Sequence, residues 1–166
     1  MAEEIVDVVN ERDEVIGSAP RKGIHGTNLL HRAAHIFLID GMGRIWLEKR
    51  ALSTDTYPGY YNSSAAGHIS KGETYLQGAE REVEEELGLT GLRLEERYLL
   101  KASKETLNEF VMFYTVKSNR MPRKHEMTEA LEPHTTGEID AMIARGERFV
   151  PIFLALYKWY RKEVAP

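Results

Sequence analysis

The first apolar runs of the chain predict an amino-terminal β-hairpin. Residues Ile5–Val9 are mostly Ile and Val, and Val15 and Ile16 follow after the polar turn Asn10-Glu11-Arg12-Asp13. Short β-branched runs on either side of a polar turn are typical of paired strands. We therefore expect a hairpin extension over about residues 4–18, ahead of a core at about residues 33–160.

The next apolar segments predict a second hairpin, inside the core. Residues 33–40 are largely apolar, and a glycine-containing turn separates them from residues 44–50. In the second segment Ile45 and Leu47 share one strand face, opposite Glu48. The pattern indicates a hairpin of two paired strands with one face buried.

Later segments change to helical spacing. Residues 74–87 lack proline, and Gly88 is suited to end a helix there. The apolar positions on one face of this helix are Leu76, Ala79, Val83 and Leu87. The remaining predicted elements are strands at 92–100 and 107–116 and helices at about 136–145 and 150–162, the last with Pro151 in its first turn. This order predicts an α/β sandwich around a mixed sheet, in one domain over residues 1–166.

Composition narrows the classes of partner. The 166 residues contain no cysteine, which excludes disulfides, cysteine-ligated metals and a cysteine nucleophile. The net charge is −4 without a basic stripe, so a nucleic acid polymer is not an expected partner. No run approaches the ~20 apolar residues of a membrane span, and the acidic first residues do not resemble a signal peptide, so we expect a cytoplasmic protein without membrane contact.

A dense group of carboxylates lies on the helix predicted at residues 74–87. Glu82, Glu85 and Glu86 are spaced so that all three share one helical face. Like charges at this spacing repel one another, so the face is either solvated, as most charge runs are, or holds a cation. Mg²⁺ prefers oxygen ligands and commonly shares phosphate oxygens with a substrate. An acidic protein that acts on a phosphate ester would need such a cation.

The residues around these carboxylates decide between the two interpretations. Nine positions match the pattern G-x5-E-x7-R-E-U-x-E-E-x-G-U, where U is a bulky aliphatic residue: Gly67, Glu73, Arg81, Glu82, Val83, Glu85, Glu86, Gly88 and Leu89. Average residue usage puts chance agreement at one window on the order of 10⁻¹⁰. The segment resembles the signature of the Nudix hydrolase family, and the resemblance extends over most of the predicted core.

That resemblance implies an α/β/α sandwich, a metal site and a reaction. The implied metal ligands are Glu82, Glu85, Glu86 and the carbonyl of Gly67. Arg81 would orient a carboxylate, and Glu73 would pair with Arg81. The reaction would be attack of metal-activated water on a phosphorus of a nucleoside diphosphate or its X-linked derivative, with Mg²⁺ as cofactor and Mn²⁺ as a substitute.

The general base is left open by the resemblance. Glu82 or Glu85 is our assignment, although many family members take the base from a later loop. Glu126 and Glu129 are the residues of this chain that such a loop would supply.

A second resemblance is to isopentenyl-diphosphate isomerase, which has a Nudix fold. The segment Arg50-Ala51-Leu52-Ser53 and the turn Tyr57-Pro58-Gly59 are similar to the isomerase's stretch from its diphosphate-binding arginine to its Pro-Gly turn. Four residues are similar to isomerase metal ligands: His25, His31, His68 and Glu109. A lone histidine is more often a surface or packing residue, but these four together would suit zinc or manganese. Both interpretations stay open.

Three departures argue against isomerase chemistry. Ala66 stands where the isomerase has its catalytic cysteine, and Leu107 stands where it has a second carboxylate. Neither side chain can exchange a proton with an allylic carbon. Ile152 replaces an aromatic residue that would shield a carbocation. The hydrolase is therefore the leading hypothesis, and the alternatives are an isomerase-like enzyme and a nucleotide-binding sensor without catalysis.

Other aromatic and histidine residues receive weaker assignments. His35 alternates with Phe37 and Ile39 on one strand face and is expected to pack there. One residue of the cluster Tyr57, Tyr60 and Tyr61 could stack on a base. The small-molecule substrate beyond its phosphate groups is not predicted, and neither is the choice between monomer and homodimer.

Overall fold

The computed structural model describes residues 2–166 of the chain. The strands in this range are β1 (Ile5–Val9), β2 (Val15–Pro20), β3 (His31–Ile39), β4 (Ile45–Arg50), β5 (Tyr61–Asn62), β6 (Ala65–His68), β7 (Glu95–Leu100), β8 (Glu109–Lys117) and β9 (Thr128–His134). The α-helices are α1 (Tyr75–Leu87), α2 (Thr136–Ala144) and α3 (Pro151–Glu163), and a short 3-10 helix covers Ile24–Gly26. Within residues 2–166, none of these helices is long and apolar enough to cross a membrane.

The central sheet is mixed, as the order of elements predicts. Its main path runs β5-β4-β3-β8-β7. Strand β3 pairs in parallel with β8 from His31 opposite Glu109 to Ile39 opposite Lys117, whereas β7 pairs with β8 antiparallel. Strand β3 begins at His31, two residues earlier than the predicted start.

The predicted hairpin of residues 33–50 is wrong in its extent. Strands β3 and β4 pair only at Ile39 and Ile45, next to their turn. Strand β6 then pairs with residues 33–36 of β3, and β9 pairs with β4. The sequence did not predict β5, β6 or β9, since the first two are short and the third has few apolar residues. Strands β3 and β4 thus separate beyond their turn.

Both faces of the sheet are covered, which confirms the α/β/α sandwich. On one face Phe37 and Phe113 pack with Phe153 of α3. On the other face Ile36 and Tyr114 pack with residues of α1. The face of the 44–50 strand opposite Ile45 and Leu47 is therefore covered as well. As a consequence, Glu48 is buried, with 5% of its surface exposed.

Helix α1 begins and ends where its sequence predicts. Thr74 caps its start, because the hydroxyl accepts a hydrogen bond from the Gln77 backbone N–H while the Gln77 side chain accepts one from Thr74 N–H. Gly88 ends the helix with φ 67°, a left-handed conformation that glycine adopts without steric cost. These signals hold the carboxylate face of α1 at a fixed position relative to β6.

The predicted amino-terminal hairpin is confirmed and continues to Pro20. It lies against the loop that precedes α1. The carboxylate of Asp7 accepts a hydrogen bond from Gly72 N–H (3.0 Å), and Asp13 accepts one from the Tyr75 hydroxyl (2.8 Å). The extension therefore supports the segment that carries the signature over residues 67–89.

Candidate active site

Glu82 lies directly over the backbone of Gly67. Glu82 belongs to α1, whereas Gly67 belongs to β6, and the helix packs on that strand. A Cβ placed on Gly67 would be 2.2 Å from Cδ of Glu82, which is far inside van der Waals contact. The close approach of a carboxylate to the strand thus explains why the first position of the signature is a glycine.

Arg81 organises the carboxylates around it. Its Nε donates to Glu73 Oε2 (2.8 Å) and its Nη2 to Glu73 Oε1 (2.9 Å), which is the fork-to-carboxylate pairing that the resemblance implies. The Nη2 group also donates to the His68 carbonyl (2.9 Å), and Nη1 donates to Glu82 Oε1 (2.8 Å). Burial raises the pKa of Glu73, but hydrogen bonds from Arg81 and Ser70 outweigh it and hold that pKa below its ordinary value.

The other two carboxylates of the face lie beside the same strand. Glu86 Oε1 accepts a hydrogen bond from the Ala66 N–H (2.7 Å), while Glu85 is more exposed and lies 3.3 Å from Arg81 Nη1. A cavity of about 250 Å³ opens here, and its wall includes Arg21, Arg81, Glu82, Glu85, Glu86 and His125. The helix face predicted from spacing is thus the wall of a cavity rather than a fully solvated surface.

The electrostatics of this wall favour a cation. Burial raises the pKa of Glu82 to about 7, although the charge and hydrogen bond of Arg81 lower it in part. Burial also raises the pKa of Glu86 well above its ordinary value, and the nearby charges of Glu48 and Glu82 add to the shift. Carboxylates whose charged form is disfavoured by burial gain from a nearby cation, and their oxygens are a suitable donor set for a hard divalent ion.

Glu48 is a site residue that the sequence did not predict. Its Oε1 accepts a hydrogen bond from the Thr128 hydroxyl (2.8 Å), and burial raises its pKa. Its alternation with Ile45 and Leu47 suggested solvent exposure, because the layer formed by α1 and the pairing with β9 were not readable. It adds a buried carboxylate close enough to Glu86 to raise the pKa of that residue.

A second group of ligating side chains is brought together from four segments. It consists of His25, His31, His68 and Glu109, whose ligand atoms all lie within 4.8 Å of one another. The Nε2 atoms of the three histidines lie 3.6, 3.5 and 2.8 Å from Glu109 Oε1, in chain order. Burial raises the pKa of Glu109, but the contacts of its carboxylate with His31 and His68 outweigh burial and lower the pKa to about 2.

Between the two groups lies a cavity of about 150 Å³. Ala66 and His68 line both this cavity and the one beside α1, while Arg50, Tyr57 and Ile152 line its far side. The Arg50 guanidinium donates to the Thr56 carbonyl (3.0 Å) and lies within 3.3 Å of its hydroxyl. The cavity therefore combines a cationic group, an aromatic side chain and the carboxylate of Glu109, and it adjoins the cavity lined by the carboxylates of α1.

The structure also gives the positions of His35 and of the tyrosine cluster. His35 is buried as expected, but its ring lines this cavity and its Nδ1 lies 2.8 Å from the Ser63 hydroxyl rather than in the apolar layer. Burial lowers its pKa to about 4. Among the three tyrosines, Tyr57 lines the cavity, whereas the Tyr61 ring lies against Phe149.

The later-loop residues do not reach either cavity among the described residues. Glu126 is exposed in the turn ahead of β9, and Glu129 is exposed on that strand. The neighbouring His125 lines the cavity beside α1 instead. Glu126 therefore lies outside both cavities, and the residue of this turn that lines the cavity beside α1 is His125.

Comparison with known proteins identifies the family. The NUDIX domain family matches residues 29–158. An uncharacterized Nudix hydrolase of Yersinia pestis is 33% identical over 162 residues, which cover 94% of this chain and 85% of that protein. The uncharacterized Nudix hydrolase YfcD of Escherichia coli K12 is 43% identical over 89 residues, or 54% of this chain and 49% of its own length.

Solved structures agree with this match. The DR0079 protein of Deinococcus radiodurans superposes with a TM-score of 0.81 at 28% identity, covering 95% of this chain and 100% of that one. A C. elegans Ap4A hydrolase shares the fold at 16% identity and TM-score 0.58, covering 79% of this chain and 94% of that one. The NUDIX domain of Shewanella oneidensis NrtR, solved with ADP ribose, shares the fold at 10% identity and TM-score 0.63. The match covers 81% of this chain and 88% of that one. With its family match over most of the chain and its signature intact, this chain belongs to the Nudix family of hydrolases.

Proposed function

We propose that this protein is a Mg²⁺-dependent hydrolase that cleaves the diphosphate linkage of a nucleoside diphosphate or an X-linked derivative. The observation that carries the proposal is the carboxylate face of α1, with Glu82 seated over Gly67 and linked to Arg81. The acting unit is proposed to be one Nudix domain, as a monomer or homodimer in the cytoplasm.

The metal would be held by Glu82, Glu85, Glu86 and the Gly67 carbonyl. When bound, Mg²⁺ or Mn²⁺ supplies positive charge to the diphosphate oxygens and lowers the pKa of water. Arg81 holds Glu82 in place through one hydrogen bond and is itself held by Glu73 through two. The arginine therefore positions a carboxylate, and it needs no direct contact with substrate.

Glu82 or Glu85, on the same helical face, is proposed to receive the proton from the attacking water. Glu82 lines the cavity beside α1, where burial raises the pKa of its carboxylate to about 7 in the metal-free protein. Glu85 is the more accessible of the two, since 57% of its side chain is exposed. Arg50, which lines the adjoining cavity, is proposed to bind a phosphate of the substrate.

The isomerase-like alternative has little support at the cavity wall. The methyl group of Ala66 and the side chain of Leu107 both line it, and neither can donate or accept a proton. The sensor alternative differs only in turnover, so a kinetic experiment separates it from the hydrolase.

The test is a substrate panel assayed with Mg²⁺ and with Mn²⁺. The panel contains nucleoside di- and triphosphates, dinucleoside polyphosphates, ADP ribose, nucleotide sugars and coenzyme A. Ap4A and ADP ribose are included because structural neighbours carry those names. We expect at least one member to be hydrolysed, with Glu85→Gln slower by at least about 100-fold.

Glu84→Gln is the matched control. Glu84 is the preceding residue of α1 and is exposed, but it lies beside Leu89 and Leu92 on another face. It should retain wild-type turnover. Equal rates for Glu85→Gln and wild type would refute the assignment of this face, and wild-type protein without turnover of any member would favour a sensor.

A further inference from the structure

The hydrogen bonding of His31 leaves one of its ring nitrogens without a partner. The Nδ1 atom lies 3.1 Å from the Leu29 carbonyl, which can only accept, so Nδ1 carries the ring proton. The Nε2 atom of the neutral ring is then a bare lone pair. It is buried without a hydrogen-bond partner, and it faces Glu109 Oε1, another acceptor, at 3.5 Å. Two acceptors that face each other in a buried place require a positive charge between them.

A proton or a metal ion could supply that charge, and the surroundings favour the metal. The Nε2 atoms of His25 and His68 approach the same oxygen of Glu109. Protonating all three rings would place three positive charges around one carboxylate in a largely buried volume. Arg21 adds a further cation, since its Nε lies 3.1 Å from His68 Nδ1 and donates to it. A nitrogen that accepts this bond carries no proton, so the ring hydrogen of His68 is on Nε2, which faces Glu109 Oε1 at 2.8 Å.

The backbone ahead of Glu109 is held in an uncommon conformation. Leu107 and Asn108 have φ values of 57° and 63°, in the left-handed region that non-glycine residues seldom occupy. The Asn108 carbonyl accepts the backbone N–H of His31 (3.1 Å), and Thr106 Oγ1 donates to the Glu109 carbonyl (2.8 Å). These contacts hold the strained turn in place. Strain of this kind is retained where a side chain must be aimed at a site.

We propose that His25, His31, His68 and Glu109 form a second metal site, for a transition-metal ion of the Zn²⁺ class, separate from the carboxylate site on α1. Three imidazole nitrogens and one carboxylate oxygen make a four-ligand set of the kind that binds zinc, whereas Mg²⁺ prefers oxygen alone. The Nδ1–H of His31 bound to a backbone carbonyl is the supporting contact that metal-binding histidines usually have. This proposal is independent of the proposed hydrolysis.

The site would connect the segment after β2 to the sheet. His25 lies in the 3-10 helix at Ile24–Gly26, while His31, His68 and Glu109 lie on β3, β6 and β8. An ion bound by all four would fix this segment beside the cavity that contains Arg50 and Tyr57. Ligation through His68 Nε2 would also move its ring proton to Nδ1, so Arg21 would release that atom and become available to an anion.

The test uses the full chain, stripped of metal with a chelator and dialysed against Co²⁺ or Zn²⁺. Co²⁺ reports the site through the intense visible absorption of a four-coordinate ion, which an all-oxygen octahedral site does not give. We expect one strongly absorbing Co²⁺ per chain, displaced by one equivalent of Zn²⁺. His25→Ala and Glu109→Gln should weaken binding by at least about tenfold. His25 is partly exposed, with 31% of its side chain accessible, so its replacement leaves the folded core intact.

Zn²⁺ should also slow tryptic cleavage after the exposed Lys22 in the wild type but not in His25→Ala. His134→Ala is the matched control, because His134 is on β9 and its Nδ1 contacts the Glu132 carbonyl instead. Glu85→Gln should retain the Co²⁺ spectrum, which separates this site from the carboxylate face. Wild-type protein without the spectrum, or His25→Ala and Glu109→Gln with wild-type affinity, would overturn the proposal. Loss of the spectrum in Glu85→Gln would do the same.

Discussion

The carboxylate of Glu82 occupies the space that a side chain on Gly67 would fill, with only 2.2 Å between Glu82 Cδ and an ideal Cβ at position 67. The distance between β6 and α1 at this contact therefore depends on the absence of a side chain at position 67. A methyl group there must move either the carboxylate or the backbone.

Gly67→Ala should lower kcat/KM by at least about tenfold, because Glu82 would be displaced from Arg81 and from the proposed metal. The free energy of unfolding should fall by about 1–3 kcal/mol, as overpacking typically costs. Steady-state kinetics and urea unfolding measure the two effects. Gly17→Ala is the control, since no atom lies within 4 Å of its added Cβ. If the two variants behave alike, the steric argument is wrong.

Arg81→Lys should destabilise the protein by about 1–3 kcal/mol, because lysine cannot form the paired hydrogen bonds to Glu73. Urea unfolding of Arg81→Lys, Glu73→Gln and the double variant gives the coupling energy between the two side chains. The exposed pair Arg12–Glu14, with side chains 83% and 58% accessible, provides the comparison. Its coupling should be less than about 0.5 kcal/mol, as for other surface ion pairs. Equal coupling in both pairs would contradict the role given to Arg81.

The raised pKa of Glu82 predicts a pH dependence of stability in the metal-free protein. The folded state holds this proton up to a pH of about 7, whereas an unfolded glutamate releases it near 4.5. The contribution of this retained proton to the free energy of unfolding is therefore fully present below pH 4.5 and is lost as pH rises through 7. With a chelator present, wild type should lose about 1–3 kcal/mol more than Glu82→Gln between pH 5 and pH 8. Parallel curves for the two proteins would contradict the assignment.

Glu126→Gln should change kcat by less than about twofold, since its exposed carboxylate lies outside the cavity where a transition-state contact would form. His125→Ala should lower kcat more, because His125 lines the wall opposite Glu82. Kinetics with the best substrate of the panel compare the two variants. A large loss in Glu126→Gln alone would return the base to the later loop.

The parts of the site that follow one helix were predictable from the sequence. Helical spacing placed Glu82, Glu85 and Glu86 on one face, and the residue signature identified Gly67 before the contact between strand and helix was known. Periodicity did not predict β9 or the burial of Glu48, because the segments that cover this residue, β5, β9 and α1, come later in the chain and no local pattern places them there. The cluster around Glu109 was suggested by resemblance alone. Its convergence depends on the register of β3, β6 and β8, which no local pattern contains.

That register has a consequence for the order of assembly. His31 and Glu109 form the first pair of the parallel β3–β8 ladder, although 78 positions separate them in the chain. Parallel pairing at such a separation forms slowly, since the loop must close before any contact forms. The four ligands can therefore meet only after this long-range pairing has formed in the correct register. Metal binding would therefore mark a late step of folding and would not initiate folding. Chains with the wrong β3–β8 register would be recognisable because they fail to bind the ion.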